Sequence, residues 1–415
     1  MGQENNSDNP ADVSRRRFIS SALVGGTALA IGSTAFGRSS AFALTKTSSV
    51  TTKPLKIGAI VDTSGALGVY GQAMINGFKT YLDQHGGKLG GRPVTVMVAN
   101  TAGSASVALQ DSSRLLADGI EFAYGGVTDE EAQAFIPVFN DRKQPVVLTG
   151  PNADIFSTTD KTPYAWRTGC TFNQDGHDPA KWFVEKHGPG TYYFICWKFS
   201  STPGLAAAVA AGVAAGGAKL APTIFTPFPV TGNFEPYLTQ VKNGKAKGLI
   251  TFVGGSDAAS LLQQFDSFGL NGKIPLMGVG AACEPNTIPA VANYVNGTYG
   301  CEFYIPGLKN AANSAFKSVY SASYKSSPNY YAVAAYDAAS YIDKVLTRTK
   351  GDTSDKSRLE DALSQPYVLD SPRGSTTMNT KYQCLTTPMY VWQNHGSGKS
   401  VKQTVVNTSF PAPET

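Results

Sequence analysis

Charge is scarce in this chain: Asp, Glu, Lys and Arg make up only 16% of its 415 residues, and the formal net charge is +5. Lysine and arginine are scattered, with no basic stripe carrying interleaved aromatics, so no nucleic-acid partner is expected. Histidine is rare, and His85, His177, His187 and His395 all sit in polar, turn-like surroundings where solvent exposure is the expected fate. The five cysteines (Cys170, Cys196, Cys283, Cys301, Cys384) follow neither C-x-x-C nor zinc spacing, which gives no support for a metal. In an oxidising compartment Cys283 and Cys301, which flank a short element, could pair; equally, the cysteines serve as small buried hydrophobes. The sequence has no G-x-x-x-x-G-K-[ST], H-E-x-x-H or G-x-S-x-G motif. Gly65-x-x-Gly68-x-x-Gly71 departs from the dinucleotide loop, and Gly86-Gly87-Lys88 stands where a ribose-binding acid belongs. No cofactor and no catalytic residue are therefore expected. Beyond the N-terminal leader, no run is long and apolar enough to span a bilayer.

What is present is enough apolar residue, 42% of the chain, to bury sizeable cores, in a length that favours two domains. The N-terminus carries Ser14-Arg15-Arg16-Arg17-Phe18-Ile19, a weakly apolar run from Ala22 to Phe36, and then Ala41-Phe42-Ala43. This arrangement resembles a twin-arginine export signal with an A-x-A cleavage site, spanning 1–43. A membrane anchor is the other reading, but Gly25, Gly26, Gly32 and Thr34 dilute the run. The resemblance implies a mature protein that starts near Leu44 and reaches the periplasm already folded through the twin-arginine translocase. A Ser/Thr-rich linker (44–53) follows.

From there the pattern is strand, turn, helix. Leu55 to Val61 is apolar and β-branched at strand length. A Gly/Ser turn follows, and then Ala73, Met74, Gly77, Phe78, Tyr81 and Leu82 recur at helical spacing. Strand-like runs (Pro93–Ala99, Ile120–Tyr124, Pro145–Leu148, Thr191–Cys196, Gly248–Val253, Pro275–Gly278) alternate with helical ones (Ser104–Leu116, Glu130–Asn140, Leu205–Gly216, Glu235–Lys242, Ser256–Phe268). Helix-like segments come later at Asn310–Lys325 and Tyr331–Leu346. This alternation predicts α/β layers with parallel sheets, whose ligands sit at the carboxyl ends of strands.

The run IGAIVDTSGALGVYGQAMINGFK, with Tyr70-Gly71, Asn76-Gly77 and the following double glycines, resembles the opening of type I periplasmic binding proteins of the leucine/isoleucine/valine-binding family. Trp166-Arg167-Thr168, Asn296-Gly297-Thr298-Tyr299-Gly300 and Leu369-Asp370-Ser371-Pro372-Arg373-Gly374 are similar to that family's later turns and crossings, so the likeness runs from about residue 54 to the end. It implies an α/β fold of two Rossmann-like lobes joined by a three-strand hinge. Lobe 1 is expected to hold 54–170 plus 302–372, and lobe 2 to hold 171–301 plus 373–415.

The family likeness and the strand ends together nominate a ligand set. Ser64 and Tyr70 occupy the first loop, and the Tyr70 ring either stacks on a ligand or packs under its loop. Thr128 and Asp129 open a helix whose N–H groups favour an anion; in the family, hydroxyls here hold a ligand carboxylate. The bland role for both is helix capping. Asp129 stands where serine is usual, and if it faces the cleft it favours a cationic or hydroxylated ligand. Thr149, Gly150 and Asn152 follow the fourth strand; Gly150 permits close approach, and Asn152 offers a donor or an acceptor. Ser201 replaces a family aromatic, which would widen the pocket. Asp257 stands where the family pairs an acid with a ligand ammonium, or else it is a helix N-cap. The resemblance thus implies a monomeric, exported receptor. It would pass a branched-chain or related amino acid, or else an aromatic carboxylate or amide, to a membrane ABC permease. An exported cofactor-bearing enzyme is the rival from another class.

Overall fold

The computed structural model describes residues 53–230, 232–283, 287–411 and 413. The export signal and most of the linker lie outside the described residues. The first sheet begins with β1 (Leu55–Val61), β2 (Lys88–Leu89), β3 (Arg92–Asn100), β4 (Phe122–Gly125), β5 (Val146–Leu148) and β6 (Ala165–Arg167), interleaved with α1 (Gly68–Gln84), α2 (Ala105–Ala117) and α3 (Asp129–Asp141). The chain then crosses, through α4 (Phe172–His187), into β7 (Thr191–Trp197), α5 (Thr202–Ala215), β8 (Lys219–Leu220), β9 (Ile224–Thr226), α6 (Glu235–Asn243), β10 (Gly248–Phe252), α7 (Gly255–Ser267), β11 (Leu276–Val279), α8 (Ile288–Val291) and β12 (Tyr299–Glu302). It returns through α9 (Ala311–Tyr324), α10 (Tyr330–Thr349) and α11 (Lys356–Leu363) to β13 (Val368–Ser371), β14 (Gly374–Asn379) and β15 (Cys384–Thr386). It ends on β16 (Met389–His395) and β17 (Lys402–Ser409) in the second sheet.

The sheet orders are β13-β14-β15-β6-β5-β4-β1-β3-β2 and β17-β16-β12-β11-β10-β7-β8, with β9 also on β7. The central strands are parallel in both. Six of the seven residues of β1 are buried, as an apolar run covered by helices on both faces requires. In each sheet the order reverses beside the first strand (β1 or β7), the switch point where loops diverge and leave a crevice.

Two features differ from expectation. The return to lobe 2 was expected at 373, yet Ser371 pairs with Gly374, so Pro372 and Arg373 form a tight turn that folds β14 back on β13. Residues 374–386 therefore stay in the first sheet, and the last crossing falls at 387–388, between β15 and β16. The helix α4 was not visible in the sequence because Gly176 and Pro179 interrupt it. A capping box between Thr171 and Gln174 starts it. Its glycine admits α5, whose own Gly212 passes so close that a Cβ there would lie 2.1 Å from the His177 carbonyl oxygen. Lobe 1 uses the same device: a Cβ on Gly77 in α1 would stand 1.9 Å from the Ala332 carbonyl oxygen in α10. All five cysteines are free and buried, so the Cys283–Cys301 pairing is not made.

Arg373 ties the three crossings together. Its guanidinium pairs with Asp337 at 2.8 Å, both side chains fully buried, and donates to the Thr168 carbonyl at 2.7 Å and toward Thr387 Oγ1 at 3.4 Å. It also lies 3.9 Å from the centre of the Phe303 ring. Thr168, Phe303 and Thr387 each belong to a different crossing. Burial pushes the Asp337 carboxyl up to about 6 despite the guanidinium beside it.

These contacts set the expected cost of two kinds of substitution. Gly77→Ala, which must push a pair of packed helices apart, should cost ~1–3 kcal/mol in denaturant unfolding, whereas Gly307→Ala, with open space around its Cβ, should be near neutral. Equal effects would contradict the packing account. Arg373→Met should cost about 3–5 kcal/mol by stranding the Asp337 charge, and Asp337→Leu in the same chain should recover some of that loss. A single variant as stable as the parent would show that Arg373 does not hold the hinge.

Candidate functional site

The strands of both sheets end at a cavity of about 630 Å³, its open mouth included. Lobe 1 contributes the loops after β1, β4 and β5 and the start of α10; lobe 2 contributes the ends of β7, β10 and β12 and the start of α5. Of the residues nominated from sequence, Tyr70, Thr128, Asp129, Gly150, Asn152 and Ser201 line it.

Tyr70 is buried, its ring stacked on Tyr331 with centroids 4.6 Å apart. Thr128 caps α3, its hydroxyl oxygen accepting from the Glu131 N–H in a capping box. The buried Glu131 carboxylate in turn accepts from the N–H groups of Val127 (2.7 Å) and Thr128 (3.1 Å). Two of the donors leading into this helix, those of Val127 and Thr128, are thus taken by the protein's own carboxylate. Asp129 faces inward, and its Oδ1 accepts the N–H groups of Asn152 and Ala153, both at 2.8 Å. It also takes a hydrogen bond from Ser201 of the opposite lobe. Burial raises its carboxyl above the ordinary range, and these donors pull it back. Gly150 lets the wall close: a Cβ there would meet the Gly126 carbonyl oxygen at 2.6 Å.

Three nominated residues lie off the cavity. Ser64 is exposed and accepts from Asn100 Nδ2 at 2.8 Å, because Asp62 gathers the N–H groups of Ser64, Gly65 and Leu67 and turns the loop outward. Thr149 is buried one layer down, its hydroxyl on Met74 Sδ at 3.3 Å. Asp257 sits behind Trp197, accepting from Trp197 Nε1 at 2.8 Å and from the Val230 N–H at 2.9 Å. It orients an aromatic wall from the rear. The widening expected at Ser201 is offset by Trp197 and Phe199, which line that side. With Phe172, Phe252, Tyr330 and Tyr331 they form the aromatic part of the lining missed from sequence, and Glu130 and Glu302 its missed acidic part. The one signal available was position: Trp197, Phe252 and Glu302 each end a strand.

The floor of the cleft is acidic. Cys170, Asp175 and Glu302, all buried, bring ligand-type atoms within 4.8 Å of one another. Burial, with Asp175 and Glu302 adding to it, pushes the Cys170 thiol well above its usual value. Asp175 is pushed up to about 7, mainly by burial, while Asn152 Nδ2 donates to its Oδ2 at 2.9 Å across the lobes. A further bridge lies at an exposed position: the Ser200 N–H and hydroxyl both donate to Glu130 Oε1, at 3.0 and 2.7 Å.

A carboxyl with a raised folded pKa binds its proton more tightly in the folded state, so its stabilising effect is complete below the unfolded value and fades as pH rises toward 7. Asp175→Asn should remove that fade. Relative to the parent, the variant should gain more than about 1 kcal/mol in unfolding free energy between about pH 4 and about pH 8. A difference that does not change with pH would contradict a protonated Asp175.

Comparison with known proteins agrees with this architecture. A Leu/Ile/Val-binding protein homologue from Brucella melitensis is 25% identical over 351 residues, covering 81% of this chain and 86% of the relative. Among solved structures, a solute-binding protein of an ABC transporter from R. palustris, in complex with benzoate, superposes with a TM-score of 0.79 at 23% identity, covering 86% of this chain and 97% of that one. A leucine-binding protein from Thermotoga maritima gives a TM-score of 0.75 at 16% identity, over 85% and 99% of the two chains. Among the described residues, no helix is long and apolar enough to cross a membrane. A family model for periplasmic binding proteins matches residues 54–399, and the chain belongs to that family.

Proposed function

We propose that this protein is the extracytoplasmic solute receptor of an ABC importer, which takes a small solute, a branched-chain amino acid or a related molecule, into the cleft and delivers it to a membrane permease. The observation that carries this reading is a cavity whose walls come from both lobes, with the lobes bonded to each other at its rim. Contacts of this kind exist together only when the lobes are shut, so a solute that touches both walls shifts the population toward the shut form. The family membership supports the periplasm as the place where this happens, with the N-terminal segment as the export address. In this reading the protein performs no chemistry, and the purified protein should lack a visible chromophore.

Isothermal titration of protein stripped by unfolding and refolding, against amino acids, their amides and aromatic acids, tests the proposal. A saturable, one-to-one heat is expected for at least one class; silence across all of them would sink the transport reading. Trp197 lines the cavity, so binding should also change the intrinsic fluorescence, and Trp197→Phe should remove most of that change. A signal that survives the substitution would put the solute elsewhere.

A further inference from the structure

The cleft bears three carboxylates, Asp129, Glu130 and Glu302, and among the described residues no lysine, arginine or histidine lines it. Its donors are largely committed within the protein. The N–H groups of Val127 and Thr128, just ahead of α3, go to Glu131, and those of Asn152 and Ala153 go to Asp129. Ser201 also turns to Asp129, and the Thr202 hydroxyl goes to the Trp197 carbonyl. Arg167, the buried cation near this floor, does not line the cavity; it helps to lower the Asp129 carboxyl and spends its terminal nitrogens within the protein. One of its terminal nitrogens donates to the Cys170 carbonyl, and the other to the Ala153 carbonyl and Ser157 Oγ. Lys198 lines a neighbouring pocket, which shares Thr128, Glu130 and Phe199 with the cleft and also takes in Asp62.

The remaining surface is aromatic on both sides. Tyr70 stacks on Tyr331 in lobe 1. In lobe 2, Phe252 packs edge-to-face against both Trp197 and Phe172, with centroids 6.2 Å apart in each case. Aromatic faces attract a cation through the ring quadrupole, most strongly where water is excluded. A solute carboxylate would meet neighbouring negative charge with few donors left to it; an ammonium would meet charge-assisted acceptors within an aromatic wall.

We infer that the cleft selects its solute by a cationic amine on an apolar or aromatic body, and that a free carboxylate on the solute is dispensable and unfavourable. This rests on the solute-receptor reading above. Amino acids remain within the class through their ammonium group, but their amides and the parent amines should bind better.

Titration calorimetry of the refolded full chain with leucine, leucinamide, 3-methylbutylamine, phenethylamine and 4-hydroxybenzoate decides the matter. Leucinamide or one of the amines should bind at least about ten-fold tighter than leucine, with no heat from 4-hydroxybenzoate. Glu302→Gln should weaken the amines at least about ten-fold, and Glu130→Gln, at a half-exposed position, gives a second reading if the first variant folds poorly. Tight binding of leucine or of 4-hydroxybenzoate with weaker or no amine binding would overturn the inference while leaving a solute receptor. Absence of binding by every compound would count against both.

Discussion

The buried pair of Arg373 and Asp337 is the constraint on which the two-lobed arrangement depends. Three separate passages of chain must run side by side between two sheets, and none of them has a core of its own. One guanidinium reaches all three, through a carbonyl, a hydroxyl and an aromatic face. An ion pair sealed from water gains little net stability over an apolar substitute, but it tolerates few alternative geometries. Such a pin can fix where the crossings meet while leaving the lobes free to turn about them. It also fixes where the cleft floor lies, because Thr168 and Phe303 lead directly into Cys170 and out of Glu302.

The cleft follows from that floor. Parallel sheets put their loops at one end, and two such sheets joined at a narrow hinge direct those ends at each other. The sign of the cleft's charge is then set by what the loops bring. Here the turn leading into α3 has been supplied with a carboxylate from inside, Glu131, and the loop after β5 with another, Asp129. Both carboxylates offset their burial with backbone hydrogen bonds, which is the condition under which a buried charge is tolerable. The same bonds that hold the loops in shape withdraw the donors a bound carboxylate would need.

Much of this architecture was legible in the sequence. The alternation of short β-branched runs with amphipathic segments marks the parallel strands, and the residues just past those strands include Tyr70, Asp129, Gly150 and Asn152, which do line the cleft. What was not legible depended on interactions distant in sequence. Helix α4 survives Gly176 and Pro179 because α5 packs on it, and no local propensity announces a neighbour. Ser64 points outward because Asp62 organises its loop. Asp257 turns back to Trp197 from a helix entered through Gly255, whose positive φ of +55° sets the direction of the first turn. The aromatic wall draws on Phe172, Trp197, Phe252 and Tyr331, spread over much of the chain, and no spacing rule connects them. The crossing at 387–388 was misplaced because a two-residue turn at 372–373 looks, in sequence, like the start of a linker.

The central claim is that a solute lies between the lobes and touches both. Crystallographic location of the small molecule that copurifies with the protein from its native host tests this most directly. The account predicts density between Tyr70 and Trp197, with the Glu130–Ser200 bridge closed over it. Density outside the cleft, or a solute held by one lobe alone, would contradict it.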